Sequence, residues 1–299
     1  MSGNRAVAGL DGPRAIGYNF LKHRRRTSAA SGSPVPAMKL ITLTTDFNMS
    51  DSYVAVMKGV ILSITPDARI IDITHQIAPQ DVREAAYVLS SAVAYFPPDT
   101  IHVVVVDPGV GSERRPIAIQ TGQARFVGPD NGVFTPVLAA ADREVVVHLD
   151  NPRFWRPAVS HTFHGRDIFA PVAAHLAAGQ SLTALGSPID DPVLLDIAQP
   201  VRLAAGGLRG QIVHVDRFGN LISNIPGGWL AGGDWTIRIA SLELSAIQPT
   251  YAAVDSGQIV ALVTSGDTLE VAVRDGSAAQ RLQVAAGEPL EAWPRGTGG

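Results

Sequence analysis

The chain has 299 residues, 46% of them hydrophobic, enough to bury the core of a folded protein of about two domains. A net charge of -3 offers no concentrated basic face for nucleic acid, and no apolar run approaches the roughly 18 residues of a membrane span, since even the run at 101–106 stops at Asp107 and Pro108. The absence of cysteine excludes a disulfide framework, a zinc ribbon and a thiol nucleophile, and fits a reducing cytoplasm.

Residues 1–37 mix Gly, Ser, Pro and Arg without periodicity, include the basic run His23 to Arg26, and are expected to be a disordered extension. Translation from Met38 and an Arg-rich transit segment are the alternative readings. From Met38 onward strands and helices alternate. Leu40–Thr44, Arg69–Thr74, Ile101–Val106, Pro116–Gln120 and Glu144–Leu149 read as strands. Tyr53, Val56, Met57, Val60, Ile61 and Ile64 recur at helical spacing, as do Val82, Ala85, Ala86, Leu89, Val93 and Phe96. Asp81 with Glu84 three residues on marks the start of the second helix, and a further helix runs from Asp167 to Ala178, ended by Gly179. The alternation predicts an α/β domain over 38–190 with a largely parallel sheet, and sites at the carboxyl ends of its strands. After about residue 190 short strands broken by glycine, such as Gln211–Val215, Trp235–Ile239, Ile259–Thr264 and Thr268–Val273, predict a smaller, mostly antiparallel β domain over 200–294.

Polar clusters interrupt the strand ends: Thr44-Thr45-Asp46, Asp72-Ile73-Thr74-His75, and Asp107-Pro108-Gly109-Val110-Gly111 followed by Ser112-Glu113-Arg114-Arg115. Taken singly, each Asp reads first as a turn or cap residue, and the arginines as a surface pair. No GxxxxGK[ST] or GxGxxG is present, so a nucleoside triphosphate is disfavoured. His164, within Phe163-His164-Gly165-Arg166-Asp167, precedes a helix whose amide-rich end disfavours imidazolium. His161 and His164 form a weak metal pair without an acidic third ligand. Asp130-Asn131-Gly132 and Phe218-Gly219-Asn220 read first as turns.

Together, TTDF at 44–47, DITH at 72–75, DPGVGSERR at 107–115, GPDNG at 128–132, FHGRDIFAP at 163–171 and FGNLISN at 218–224 resemble, in order and spacing over 38–290, the SAM hydroxide adenosyltransferases. That family is related to enzymes that attack the same substrate with fluoride or chloride. The resemblance implies an α/β domain plus a small β-barrel, a homotrimer with active sites between subunits, and hydrolysis of S-adenosylmethionine (SAM) to adenosine and methionine without metal or organic cofactor.

The family's catalytic set falls on Asp107, Arg114 and His164. Its ribose contact falls on Asp46, and its adenine contacts on Asn220 and Phe218. Asp51 and Asp216 map to the methionine end, while Ser265, Gly266, Val273 and Arg274 fall where the barrel closes over adenine. The halide-using relatives place Tyr at the position of Asp107 and Ser at that of Gly165, so both residues point to hydroxide. Asn48 departs from the Gly of many members. The competing readings are a non-catalytic adenosine or SAM binding module, a SAM-dependent halogenase, and a metal-dependent hydrolase built on His161 and His164.

Overall fold

The computed structural model describes residues 39–141 and 144–295; the expectation for 1–37 lies outside the described residues. The first half comprises β1 (Leu40–Thr45), α1 (Tyr53–Ile64), β2 (Arg69–Thr74), α2 (Val82–Val93), β3 (Ile101–Val105), β4 (Pro116–Thr121), β5 (Arg125–Pro129), α3 (Thr135–Ala140), β6 (Glu144–His148), α4 (Ala170–Ala177) and β7 (Ser187–Ile189). These seven strands form one sheet in the order β2-β1-β3-β5-β4-β6-β7. The first four in that order run parallel, and β4, β6 and β7 close the far side through antiparallel pairings.

Alternating residues of the central strands divide between two cores, as the period-two geometry of a strand requires. Ile101, Val103 and Val105 of β3 pack with Val54, Met57 and Ile61 of α1 and with α4, whereas Val104 and Val106 pack with α2 and with Phe134 and Val137 beside and on α3. The sheet is therefore covered on both faces. The β1-α1-β2 connection lies on one face and β2-α2-β3 on the other, so the winding reverses between β1 and β3. Such a switch point leaves a crevice outside the carboxyl ends of the two strands, where Asp46 and Asp107 stand.

The second half is a nine-stranded, mainly antiparallel sheet. Its terminal strands, Leu242–Leu244 and Ile247–Gln248, are separated by only two residues of chain, which draws the two ends of the sheet together and curls it into a nearly closed barrel. The barrel rests on α2, where the Tyr87 and His214 rings stack at 4.5 Å.

Several elements differ from the sequence reading. Tyr53 and Val56, expected on the buried face of α1, are exposed at 46% and 37%, because that face is centred on Val54, Met57 and Ile61. The helix expected from Asp167 begins earlier, with a π-helical turn over Gly165–Phe169 running into α4. Asp167 does not cap it. Its fully buried carboxylate is consumed by Arg166, Arg156 and the Ser160 amide. β5 and α3 were unanticipated, the strand because Gly128 and Pro129 look like turn residues. Asp81 does cap α2, accepting from the Glu84 amide, while Glu84 reaches back to the Ala78 amide and extends the cap upstream.

One buried group makes stability pH-dependent. His102 on β3 is fully buried between Phe96 and Phe126, with Nδ1 hydrogen-bonded to the Thr42 hydroxyl at 2.8 Å, and burial lowers its pKa to about 3 from 6.5. The unfolded chain takes up this proton below pH 6.5 and the folded chain does not. The stabilisation is thus complete above that value and drains away as pH falls toward 3, by a few kcal/mol in all. We expect urea-unfolding free energies of His102→Phe to lose much of the slope that the parent protein shows between pH 6.5 and 4.

Candidate active site

Asp107 follows β3 and opens a turn that returns the chain to β4. Val110 donates its amide to the Asp107 carbonyl, and the Ser112 hydroxyl donates to the Gly109 carbonyl. Gly111 has φ +78, and a Cβ there would overlap the His161 carbonyl, so this position requires glycine for conformation and for space. The turn brings Arg114 back over Asp107. Its Nε donates to Asp107 Oδ1 at 2.8 Å and its Nη2 to Oδ2, a bidentate pair with side chains 9% and 5% exposed.

The same Nη2 also meets His164 Nδ1 at 2.9 Å. Arginine has only donors, so Nδ1 must be the acceptor, which places the ring proton of neutral His164 on Nε2. Burial first, and then the adjacent Arg114 charge, lower the His164 pKa below its usual value. The expectation that a helix terminus would disfavour imidazolium gives way to these two causes. Arg114 lies over the Phe169 ring at 5.3 Å, and its buried Nη1 has no hydrogen-bond partner among the described residues. A guanidinium in this position also repels a metal cation at His164, and among the described residues no three His, Cys, Asp or Glu side chains converge as ligands.

Neighbouring Arg115 does something different. It binds Asp130 through Nε at 2.9 Å and Asp191 through Nη1 at 2.7 Å, while Asp130 also accepts from the Val193 amide. Asn131 donates from Nδ2 to the carbonyl of Val106, the residue before Asp107. Asp130 and Asn131 are thus turn and bracing residues that hold the strand end. His75 is likewise structural: buried, it hydrogen-bonds the Thr45 hydroxyl at 2.9 Å, and Asp72 pairs with Lys58 at 2.6 Å.

Asp107 and His164 line a cleft of about 380 Å³ together with Asp46, Phe47, Tyr53 and Phe163. Asp46 accepts from the Gln80 amide through Oδ2 at 2.9 Å, supported by a left-handed φ of +67 at Gln80. Asn48 has φ +57, a conformation that glycine adopts freely and asparagine tolerates, which accounts for its departure from the family pattern. Gly165 is packed close: a Cβ would lie 3.2 Å from Met57 Sδ, the Phe163 ring and Val105 Cγ1.

The remaining sequence-predicted contacts lie on the barrel. Asp216, Phe218, Asn220, Val273 and Arg274 line a groove of about 750 Å³, and Ser265 and Gly266 line an adjoining one of about 660 Å³ that shares Asp216 and Tyr251 with it. Asp216 organises the loop, accepting from the Phe218 and Asn220 amides and from Asn220 Nδ2. Neither groove shares a lining residue with the Asp107 cleft. Asp51 is exposed on the bend before α1 and lines none of the three.

The family model for the SAM hydroxide adenosyltransferase N-terminal domain matches residues 41–186, and that for the C-terminal domain matches 210–291. The chain belongs to the SAM hydroxide adenosyltransferase family. Among curated relatives, the (R)-S-adenosyl-L-methionine hydrolase of Salinispora tropica is 40% identical over 252 residues, covering 84% of this chain and 96% of the relative. Its namesake from Thermus thermophilus is 37% identical over 265 residues, covering 85% and 99%. Among solved structures, an uncharacterized conserved protein from Thermotoga maritima superposes with a TM-score of 0.79 at 38% identity, over 85% of this chain and 99% of that one.

The sequence alone did not reveal the wall that Phe47, Tyr53 and Phe163 build in the cleft; the motifs contained two of the rings, but only the fold shows that they meet. It also left Arg114 and Arg115 undistinguished before the resemblance was drawn, although alternate side chains entering a strand point to opposite sides. The two arginines should now separate experimentally. Arg115→Ala strands the buried Asp130 carboxylate and should lower stability by about 2–3 kcal/mol in urea denaturation. The exposed neighbour Glu113→Ala should stay within about 0.5 kcal/mol of the parent.

Proposed function

We propose that this enzyme hydrolyses S-adenosyl-L-methionine to adenosine and L-methionine, and that Asp107, Arg114 and His164 carry the step. The observation that carries the reading is the Arg114 fork, which clamps Asp107 and fixes the His164 tautomer beside a cleft that Asp107, His164 and Asp46 line together. The relatives' names specify the (R)-sulfonium, and we extend that configuration to this chain.

The chemistry follows from the hydrogen-bond inventory. Water attacks ribose C5′ in line with the sulfonium; the C–S bond breaks, and its electron pair leaves on sulfur as the neutral thioether of methionine. Arg114 has only donors, and the one acceptor nitrogen of neutral His164 is already taken by Arg114, so neither accepts the proton that water sheds. Asp107 is the acceptor left to water among the three. It takes a hydrogen bond and then the proton from water, while Arg114 Nη1 and His164 Nε2 donate to the oxygen as it gains hydroxide character. Asp46 holds the ribose through its hydroxyls, and the barrel groove at Asn220 and Phe218 receives adenine.

The homotrimer belongs to this proposal. The ribose-side and adenine-side residues line surfaces with no residue in common, so a neighbouring copy offers a way to complete each site. β2 is an edge strand exposing Ile71, and Val56 and Leu62 are exposed on α1, an apolar face suited to a partner subunit. Light scattering should return three times the 31.5 kDa chain mass. Among the described residues no helix is long and apolar enough to cross a membrane, and a cytoplasmic setting, where SAM is made and used, suits the reading.

Incubating the purified protein with SAM in chelator, without halide, should release adenosine and methionine in equal amounts. Asp107→Ala should reduce kcat by about 10²- to 10⁴-fold while SAM still binds by calorimetry. Bound but intact SAM would favour a binding module, and product formation only with halide would favour a halogenase. Protonating His164 puts a proton on the nitrogen that accepts from Arg114. Because its pKa is lowered from 6.5, the acid limb of kcat/KM should fall below pH 6.5. A limb at or above 7 would refute the assigned tautomer.

A further inference from the structure

Phe47, Tyr53 and Phe163 meet as a three-ring cluster. Phe47 and Tyr53 lie 5.5 Å apart between centroids, Phe47 and Phe163 5.7 Å at near-right angles, and Tyr53 and Phe163 5.2 Å, also edge to face. All three line the cleft. The cluster is anchored at both ends, since Phe47 directly follows Asp46 and has its amide held by the Thr45 hydroxyl, and Phe163 directly precedes His164 and carries the Arg166 guanidinium 5.3 Å from its ring centroid. Tyr53, the first residue of α1, joins the two and remains 46% exposed. The aromatic surface therefore spans the distance between the ribose anchor and the histidine that faces the nucleophile. In-line attack sets the sulfur beyond C5′ from the nucleophile, within a cleft whose lining is aromatic at these three residues.

We infer that this wall, through Tyr53, reads the configuration of the sulfonium; the inference rests on the hydrolase reading above. A sulfonium is pyramidal, carrying the adenosyl carbon, a methyl group, the amino-acid arm and a lone pair. In-line attack fixes the C5′–S axis, and the polar arm must leave toward solvent or polar groups. With those two positions fixed, the epimers differ only in which of the remaining two, methyl or lone pair, faces the rings. The methyl carries part of the positive charge and is attracted to the negative face of an aromatic ring. The lone pair is electron-rich and is repelled by that face. An aromatic wall on one side of the sulfur thus favours one epimer, and the ring, rather than its hydroxyl, makes the distinction.

The methyl stays on sulfur, and sulfur keeps part of its positive charge while the C–S bond is only partly broken, so the contact acts on ground state and transition state alike. Losing it should raise KM for the preferred epimer and leave kcat within a few-fold. The test uses the full-length protein with SAM prepared as a mixture of sulfur epimers, following the two S-methyl signals by proton NMR. Wild type should consume the (R) signal preferentially. Tyr53→Leu, which keeps apolar bulk but removes the π face, should reduce the epimer ratio of kcat/KM about tenfold, in line with the strength of a partly desolvated cation–π contact. Tyr53→Ala should do the same, whereas Tyr53→Phe should retain the ratio. Equal consumption of the two epimers by wild type, or an unchanged ratio in a folded Tyr53→Leu, overturns the role of the wall and leaves the hydrolase reading standing. No consumption of either epimer by wild type overturns both.

Discussion

The site depends on one guanidinium. Arg114 binds both oxygens of Asp107 and at the same time offers Nη2 to His164 Nδ1. Since an arginine can only donate, that geometry decides the ring tautomer and leaves the carboxylate as the only base among the three. An ammonium could supply charge here, but it lacks the planar fork that holds a carboxylate and an imidazole at fixed angles. The turn from Asp107 to Arg114 exists to make this reach possible. Its Gly111 sits at φ +78 against the His161 backbone, so the loop bearing His164 and the loop bearing Arg114 are packed directly together.

The fold supplies the other half of the precision. Reversal of winding between β1 and β3 places Asp46 and Asp107 on adjacent strand ends, and the parallel pairing of those strands fixes their spacing. Asn131 ties the Val106 carbonyl at the end of β3, and Arg115 ties Asp130 to the segment that leaves the domain at Asp191. The π-helical turn ahead of α4 begins directly after His164, its cap residue, and turns of this kind recur at functional sites.

Strand ends and motif order were legible in the sequence, because long apolar runs that stop at an aspartate have few alternative readings. The start of α2 was legible for the same local reason: Asp81 and Glu84 interact within one turn of chain. What could not be read depended on tertiary neighbours. Gly128 and Pro129 look like a turn, yet they end a buried strand between β3 and β4, where burial on both faces outweighs propensity. Asp167 reads as the start of a helix, but the helical turn begins two residues earlier, and Arg166 and Arg156 claim its carboxylate. Tyr53 fits the apolar stripe of α1 by spacing alone, and only the positions of Phe47 and Phe163 reveal that it faces the cleft. The motifs named Asp46, Asp107, Arg114 and His164, and the structure brings Asp46, Asp107 and His164 to one cleft with Arg114 on Asp107, whereas the separation of the expected barrel contacts onto another surface needed the structure.

Charge balance connects the site to the choice of nucleophile. The substrate brings a sulfonium and Arg114 is permanently cationic, so without Asp107 two positive charges would face each other in a half-buried cleft. With the carboxylate in place the pair is close to neutral, and a cation can enter. The same carboxylate works against a halide, because it cancels the Arg114 charge that would otherwise draw the anion in and its own oxygens repel it. Water escapes that penalty, being neutral on arrival, and it becomes anionic only as its proton passes to Asp107. Gly165 acts in the same direction through space, since the 3.2 Å clearances around its missing Cβ leave little room for a serine hydroxyl that could hold an anion there. In the proposed reaction one carboxylate thus admits the cationic substrate, disfavours the anionic competitor and takes the proton, and the Arg114 fork holds it in place for all three.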